Sequence, residues 1–195
     1  MKFTFGIITS GGSHNAIHSL SNNKTNNNLL DRIIPSIRNQ NIPEYEIIIV
    51  GGENLYKDYS DVSHFSFDES KKSGWITKKK NMITDKAKYE NIVYMHDYIE
   101  ICDGWYDGFK KFGNDWDICM NIITHIPPKD EEKRRYRDWV IWDDPKLSFN
   151  VSYDKYTFEH RVIAAPYEYK KIEYMYISGA YWVAKKYVME EEPLN

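Results

Sequence analysis

Short apolar runs alternate with polar, helix-compatible stretches through the first hundred residues. FTFGII (3–8) is a short β-prone apolar run bounded by Thr9-Ser10-Gly11-Gly12. A run of that length ending in glycines reads as a buried strand passing into a loop. The amide-rich SNNKTNNN (21–28) suits an exposed loop or a helix start. Leu29, Leu30, Ile33, Ile34 and Ile37 then recur at helical spacing and form one apolar stripe. Pro35 is compatible with that helix only near its start or at a kink, and Pro43 closes the segment. EIIIV (46–50) is a second buried strand, ended by Gly51-Gly52-Glu53. Strand, helix, strand in that order favours a parallel pair joined by a right-handed crossover. FSF (65–67) is a third short strand, TKKKNMITDKAKY (77–89) a helix, and NIVYMHDYIEI (91–101) a fourth strand that turns polar at its end. The predicted class is therefore α/β, with a mostly parallel, Rossmann-like central sheet flanked by helices.

The second half is less regular. DGWYDGFKKFG (103–113) predicts an amphipathic helix with Trp105, Phe109 and Phe112 on one side, and DICMNII (117–123) returns to strand. Thr124 to Asp144 is polar and aromatic and reads as a long loop or hairpin. YMYISGAYWVAKKYVMEE (174–191) reads as a strand, a Ser-Gly-Ala break, then a strand or helix. Neither a composition shift nor a repeat divides the chain, so residues 1–195 are expected to form one domain.

Composition narrows the function. With 26 basic and 29 acidic residues and a net charge of −3, the chain lacks the broad basic surface of a nucleic-acid binder. Two cysteines, Cys102 and Cys119, make neither a disulfide framework nor a four-ligand zinc site. No apolar run approaches the roughly 20 residues that span a bilayer, and MKFTFGIITSGG is too short to be a signal peptide. These features predict a soluble, intracellular protein, cytoplasmic or of a location the sequence leaves open. Aromatic residues reach 15%, and Tyr and Trp pair a large apolar body with a polar tip suited to sugars and bases; many must simply fill the core.

Open α/β sheets bind ligands at the carboxyl ends of their strands. Three polar clusters fall there: Thr9 to Gly12, Gly51 to Glu53, and His96-Asp97-Tyr98. One Gly-Gly pair after a strand is most often only a turn, but three clusters on successive strands are harder to dismiss. Neither a P-loop nor a G-x-G-x-x-G fingerprint is present, which removes those nucleotide-binding classes. His96 and Asp97 offer an imidazole and a carboxylate, a donor set for Mn2+ or Mg2+ bridging a diphosphate or, more simply, a cap on the next turn. Arg134 to Trp139 and Lys78 to Lys80 are the two basic clusters, and each also fits a solvated face.

In order and spacing, FGIITSGG, LLDRIIPSIRNQ, EIIIVGGEN, TKKKN, IVYMHDYIEICDGWYDGF and ISGAYWVAKKY resemble the GT-A fold glycosyltransferases, in particular the family 2-like nucleotide-sugar transferases. The resemblance covers nearly the whole chain. It implies a GT-A fold and transfer of a sugar from a nucleotide-diphospho-sugar, UDP-linked by preference, to a glycan or other hydroxyl acceptor, with inversion and with Mn2+ or Mg2+. It implies that Thr9, Ser10, Gly11, Glu53, Lys80, Asn81 and His96 hold the donor and that Asp97 holds the metal. It sets Arg135, Trp139, Gly179 and Ala180 on the acceptor side. Two departures stand out. The family's D-x-D place holds His96-Asp97-Tyr98, with one carboxylate. The family's acidic motif for the catalytic base follows the Gly-Ala strand, whereas here only EEEPLN follows ISGAYWVAKKY. The resemblance thus implies a chain shortened at its C-terminus, or another carboxylate, with Asp138 the in-chain candidate. Two further readings are a nucleotide-sugar-binding module without turnover and a nucleotidyltransferase. The latter normally carries a basic loop after the first strand, and Thr9 to Ser13 has no Lys or Arg.

Overall fold

Strand β1 (Phe3–Ile8) has six buried residues in a row because strands pair with it on both edges and helices cover both faces. The computed structural model describes residues 1–9, 32–54, 56, 58–121, 123–126, 161–164 and 179–195. Strands β2 (Tyr45–Val50) and β4 (Asn91–His96) run parallel to β1 along its whole length, with Phe3 opposite Tyr45 and Asn91, and Ile8 opposite Val50 and His96. Strand β3 (Val62–Phe65) lies parallel outside β2. On the other side the direction changes. Strand β9 (Tyr181–Lys185) is antiparallel to β4, and the two-residue β6 (Ile118–Cys119) is antiparallel to β9. The strand order is β3-β2-β1-β4-β9-β6. The expected sheet is thus parallel over four strands and mixed beyond them.

A smaller sheet combines β5 (Ile99–Ile101), β8 (Arg161–Ala164) and β7 (Ile123–Ile126) in the order β5-β8-β7. It corrects two expectations. The run 91–101 is two strands in different sheets, because Asp97 and Tyr98 turn the chain out of the large sheet. The run 117–123 is likewise divided after Cys119, and Thr124–Ile126, expected in a loop, belongs to β7.

Helix α1 (Ile34–Arg38) holds Pro35 in its first turn, where a missing N–H breaks no helical bond. It buries Ile34 and Ile37; Leu29 and Leu30 lie outside the described residues. Helices α2 (Ile76–Lys86) and α3 (Trp105–Phe112) cover opposite faces of the sheet. Successive strand side chains alternate between faces. Phe3 and Phe5 therefore meet α3 together, with Trp105 5.0 and 5.4 Å from their ring centroids and Phe109 5.3 Å from Phe3. Gly6 and its cross-strand partner Tyr94 face α2, where Gly6 lies under Ile83 and the Tyr94 hydroxyl is 2.7 Å from Thr84 Oγ1. Full burial of each such apolar side chain contributes about 1.5–3 kcal/mol. Trp105 Nε1 donates to the Tyr181 hydroxyl (2.8 Å), which donates to Asn121 Oδ1 (2.5 Å) and so ties α3 to β9. Helix α4 (Lys186–Glu191) follows β9 directly and packs beside α2.

Candidate functional site

The register sets the carboxyl ends of β1, β2 and β4 level with one another, since Ile8 is opposite both Val50 and His96. The ladder continues past them: the Thr9 N–H donates to the Val50 carbonyl (3.1 Å) and the Gly51 N–H to the Phe65 carbonyl (2.9 Å). From β1 the sheet grows through β2 to β3, and the chain then returns through α2 to lay β4 on the other edge of β1. The reversal of strand order lies between β1 and β4. In open α/β sheets that is where connections diverge and a ligand crevice forms. Thr9 flanks it on one side, and His96 and Asp97 on the other.

Several expected donor and acceptor residues meet at this edge. The His96 N–H donates to the Ala180 carbonyl at 3.0 Å, extending the β4–β9 pairing by one step. Lys80 Nζ donates to the Gly179 carbonyl at 2.6 Å and stands 5.3 Å from the centroid of the Trp182 ring. Residues 179–180, placed on the acceptor side by resemblance, thus contact two residues placed on the donor side. Burial alone pushes the Lys80 ammonium down to about 8, because a charge out of water loses hydration. Asp97 is buried beside the end of β4.

Other expected residues sit elsewhere. Glu53 is exposed beyond β2. The Asn81 amide is engaged by the C-terminal segment, with Nδ2 donating to the Leu194 carbonyl (2.8 Å) and Oδ1 accepting the Leu194 N–H (3.0 Å). Ser10, Gly11, Arg135, Asp138 and Trp139 lie outside the described residues.

Lys79 is the residue that sequence reasoning passed over. In the run 78–80 Lys78 is exposed, but Lys79 is only 2% exposed. Its Nζ donates to the Thr9 carbonyl (2.7 Å), pairs with Glu69 and lies 5.1 Å from the Phe67 ring centroid. Burial pushes the Glu69 carboxyl up, but hydrogen bonds from Lys79 and the Gly74 N–H outweigh it and hold the group below its ordinary value. Gly51 completes this corner at φ +95°, and a Cβ there would collide with the Thr9 carbonyl oxygen. Only glycine suits that backbone and that contact.

A hard cation takes oxygen ligands. Among the described residues no group of three or more His, Cys, Asp or Glu side chains could hold a metal ion. Asp97 and His96 supply one carboxylate and one imidazole, so a cation here would draw its remaining ligands from substrate and water. Among the described residues, no helix is long and apolar enough to cross a membrane.

Strand order, helix placement and level strand ends define a mixed α/β fold with a Rossmann-like centre. No family model matches the chain, and no curated protein matches it. Among solved structures, S. aureus TarS 1–349 is similar over 50% of this chain and 27% of that one, at 18% identity and a TM-score of 0.33. The chain thus spans little more than a quarter of that structure. A likeness so loose carries no argument.

Proposed function

We propose that the chain is a glycosyltransferase that takes a sugar from a nucleotide-diphospho-sugar, with UDP as the favoured nucleotide, and passes it to an acceptor hydroxyl with inversion. The observation that carries this reading is the reversal of strand order between β1 and β4, flanked by Thr9 and by His96-Asp97. Rossmann-like sheets use that position for nucleotides. The donor would lie across the strand ends with Thr9, Ser10, Gly11 and Glu53 toward the nucleoside and Lys80 toward the diphosphate. Mg2+-like cations are commonly held by one or two carboxylates together with substrate phosphates. Asp97 would be this chain's contribution, and the cation would neutralise charge on the departing diphosphate. Removal of the acceptor proton needs a positioned carboxylate, a role worth about 10²–10⁴-fold in rate, and Asp138 is the in-chain candidate.

Isothermal titration tests the donor site. UDP should bind in the presence of Mn2+, and Asp97→Ala should abolish the metal dependence while the fold persists. Absence of heat with both UDP and GDP overturns the reading. Binding of UDP without its release from any UDP-sugar in the presence of acceptors would replace a transferase with a sugar-nucleotide-binding module.

A further inference from the structure

Lys79 bonds two separate segments of the chain and stands beside a third. Its ammonium bonds the Thr9 carbonyl at the end of β1. It would lie 3.2 Å from a Cβ added to Gly51, at the end of β2. It pairs with Glu69 in the loop before α2, and the other oxygen of that carboxylate accepts the Gly74 N–H at 2.7 Å. A buried ammonium is costly unless paired and hydrogen-bonded, and an apolar side chain of similar length could fill the same space. An ammonium adds direction: its donors fix where the Thr9 carbonyl and the Glu69 loop can sit relative to α2.

We propose that the Lys79–Glu69 pair is a positioning device that holds the ends of β1 and β2 and the 67–75 loop in place for the nucleoside part of the donor. The proposal rests on the donor-binding reading above. It places Lys79 and Glu69 behind the binding edge, acting on ligand through Thr9 and Gly51. A preformed edge spares the ligand the entropy of ordering it, so loosening it weakens affinity without removing a ligand contact.

The test measures UDP affinity, with Mn2+ present, and amide hydrogen exchange in the wild type, Lys79→Met and Glu69→Gln, all well below each variant's melting temperature. In Lys79→Met, affinity should fall at least tenfold. Exchange should quicken at the Gly51 and Gly74 amides, while β4 amides such as Val93 stay protected. Glu69→Gln keeps an oxygen for Lys79 and should show a smaller loss in the same direction. A purely structural lysine would lower the melting temperature and open β4 to the same extent, leaving the affinity of folded protein unchanged; that result overturns the proposal. Should the wild type bind no nucleotide, the donor reading falls, and exchange alone judges the device. Unchanged Gly51 and Gly74 amides, or uniform opening, then overturn it.

Discussion

Lys79 and Lys80 show how far apart two neighbouring residues of one type can stand. Lys79 has a carboxylate beside it, whereas the contacts that define Lys80 are a carbonyl and an indole face. That difference gives Lys80 a pH signature. Its folded-state value, about 8, lies below the ordinary value of 10.5 because of burial. Between those values the unfolded chain binds the proton that the folded chain has shed, so stability rises with pH across that window. Below about pH 8 the folded protein carries the full cost of a buried ammonium. Replacing Lys80 by Met removes that cost together with the bond to Gly179. The stability advantage of Lys80→Met over wild type should therefore be greatest at neutral pH and shrink between pH 8 and 10.5, as read by urea unfolding at each pH. A difference that does not vary with pH would refute the assignment. Both buried lysines were legible only in part. A run of three lysines reads as solvated, yet Lys79 and Lys80 precede the buried Ile83 by four and three positions. Those intervals put them on the apolar stripe of the helix. The sequence signal was present, and residue type masked it.

Among the elements, the strands that run between two covered faces were the easiest to read. The largely apolar, β-prone runs of β1 and β2 need no turn or partner to reveal them, and their observed bounds fall within a residue of the predicted ones. Breaks were harder. In 91–101 the polar His96-Asp97 marks a break, but the apolar residues on either side read alike because both halves are buried strands; that they join different sheets is decided by long-range pairing. The docking of α2 on β1 depends on a different detail. Gly6 has no side chain, and a Cβ there would collide with Ile83 Cγ2 and press on its Cγ1 (3.2 Å). Gly6 has no left-handed backbone to account for it, so close approach of helix and strand is its whole reason. Gly6→Ala should destabilise by about 1–3 kcal/mol through overpacking. Ile83→Ala should cost about 2–5 kcal/mol through the cavity it leaves. In the double variant the new methyl occupies part of that cavity, so its cost should fall clearly below the sum of the two singles. Additive costs in chemical denaturation would mean that Gly6 and Ile83 do not meet as described.

For the molecule as a whole, the α/β class followed from the alternation of runs, but the mixed half of the sheet did not. The antiparallel β9 joins β4 from the far end of the chain, and its place is fixed by long-range pairing, such as Met95 with Tyr181, that local pattern does not encode. The same pairing brings Gly179 and Ala180 to Lys80 and His96, so the candidate site draws on both ends of the sequence. Sequence order supplied the residues, and only the sheet brought them together. Ligand binding at such an edge should be felt globally, because it stabilises the folded state and leaves the unfolded chain untouched. At a free UDP concentration 100-fold above its dissociation constant, linkage adds about 2.7 kcal/mol. For a chain of this size each kcal/mol moves the melting temperature by about 2–4 °C. UDP with Mn2+ should therefore raise the melting temperature by roughly 5–10 °C, as followed by scanning calorimetry. Inorganic pyrophosphate with Mn2+ at the same concentration should give a smaller rise, since it cannot reach the Thr9 and Gly51 side of the edge. No rise with UDP would remove the strand-end site from consideration. An equal rise with pyrophosphate would limit that site to phosphate and leave the nucleoside without a place.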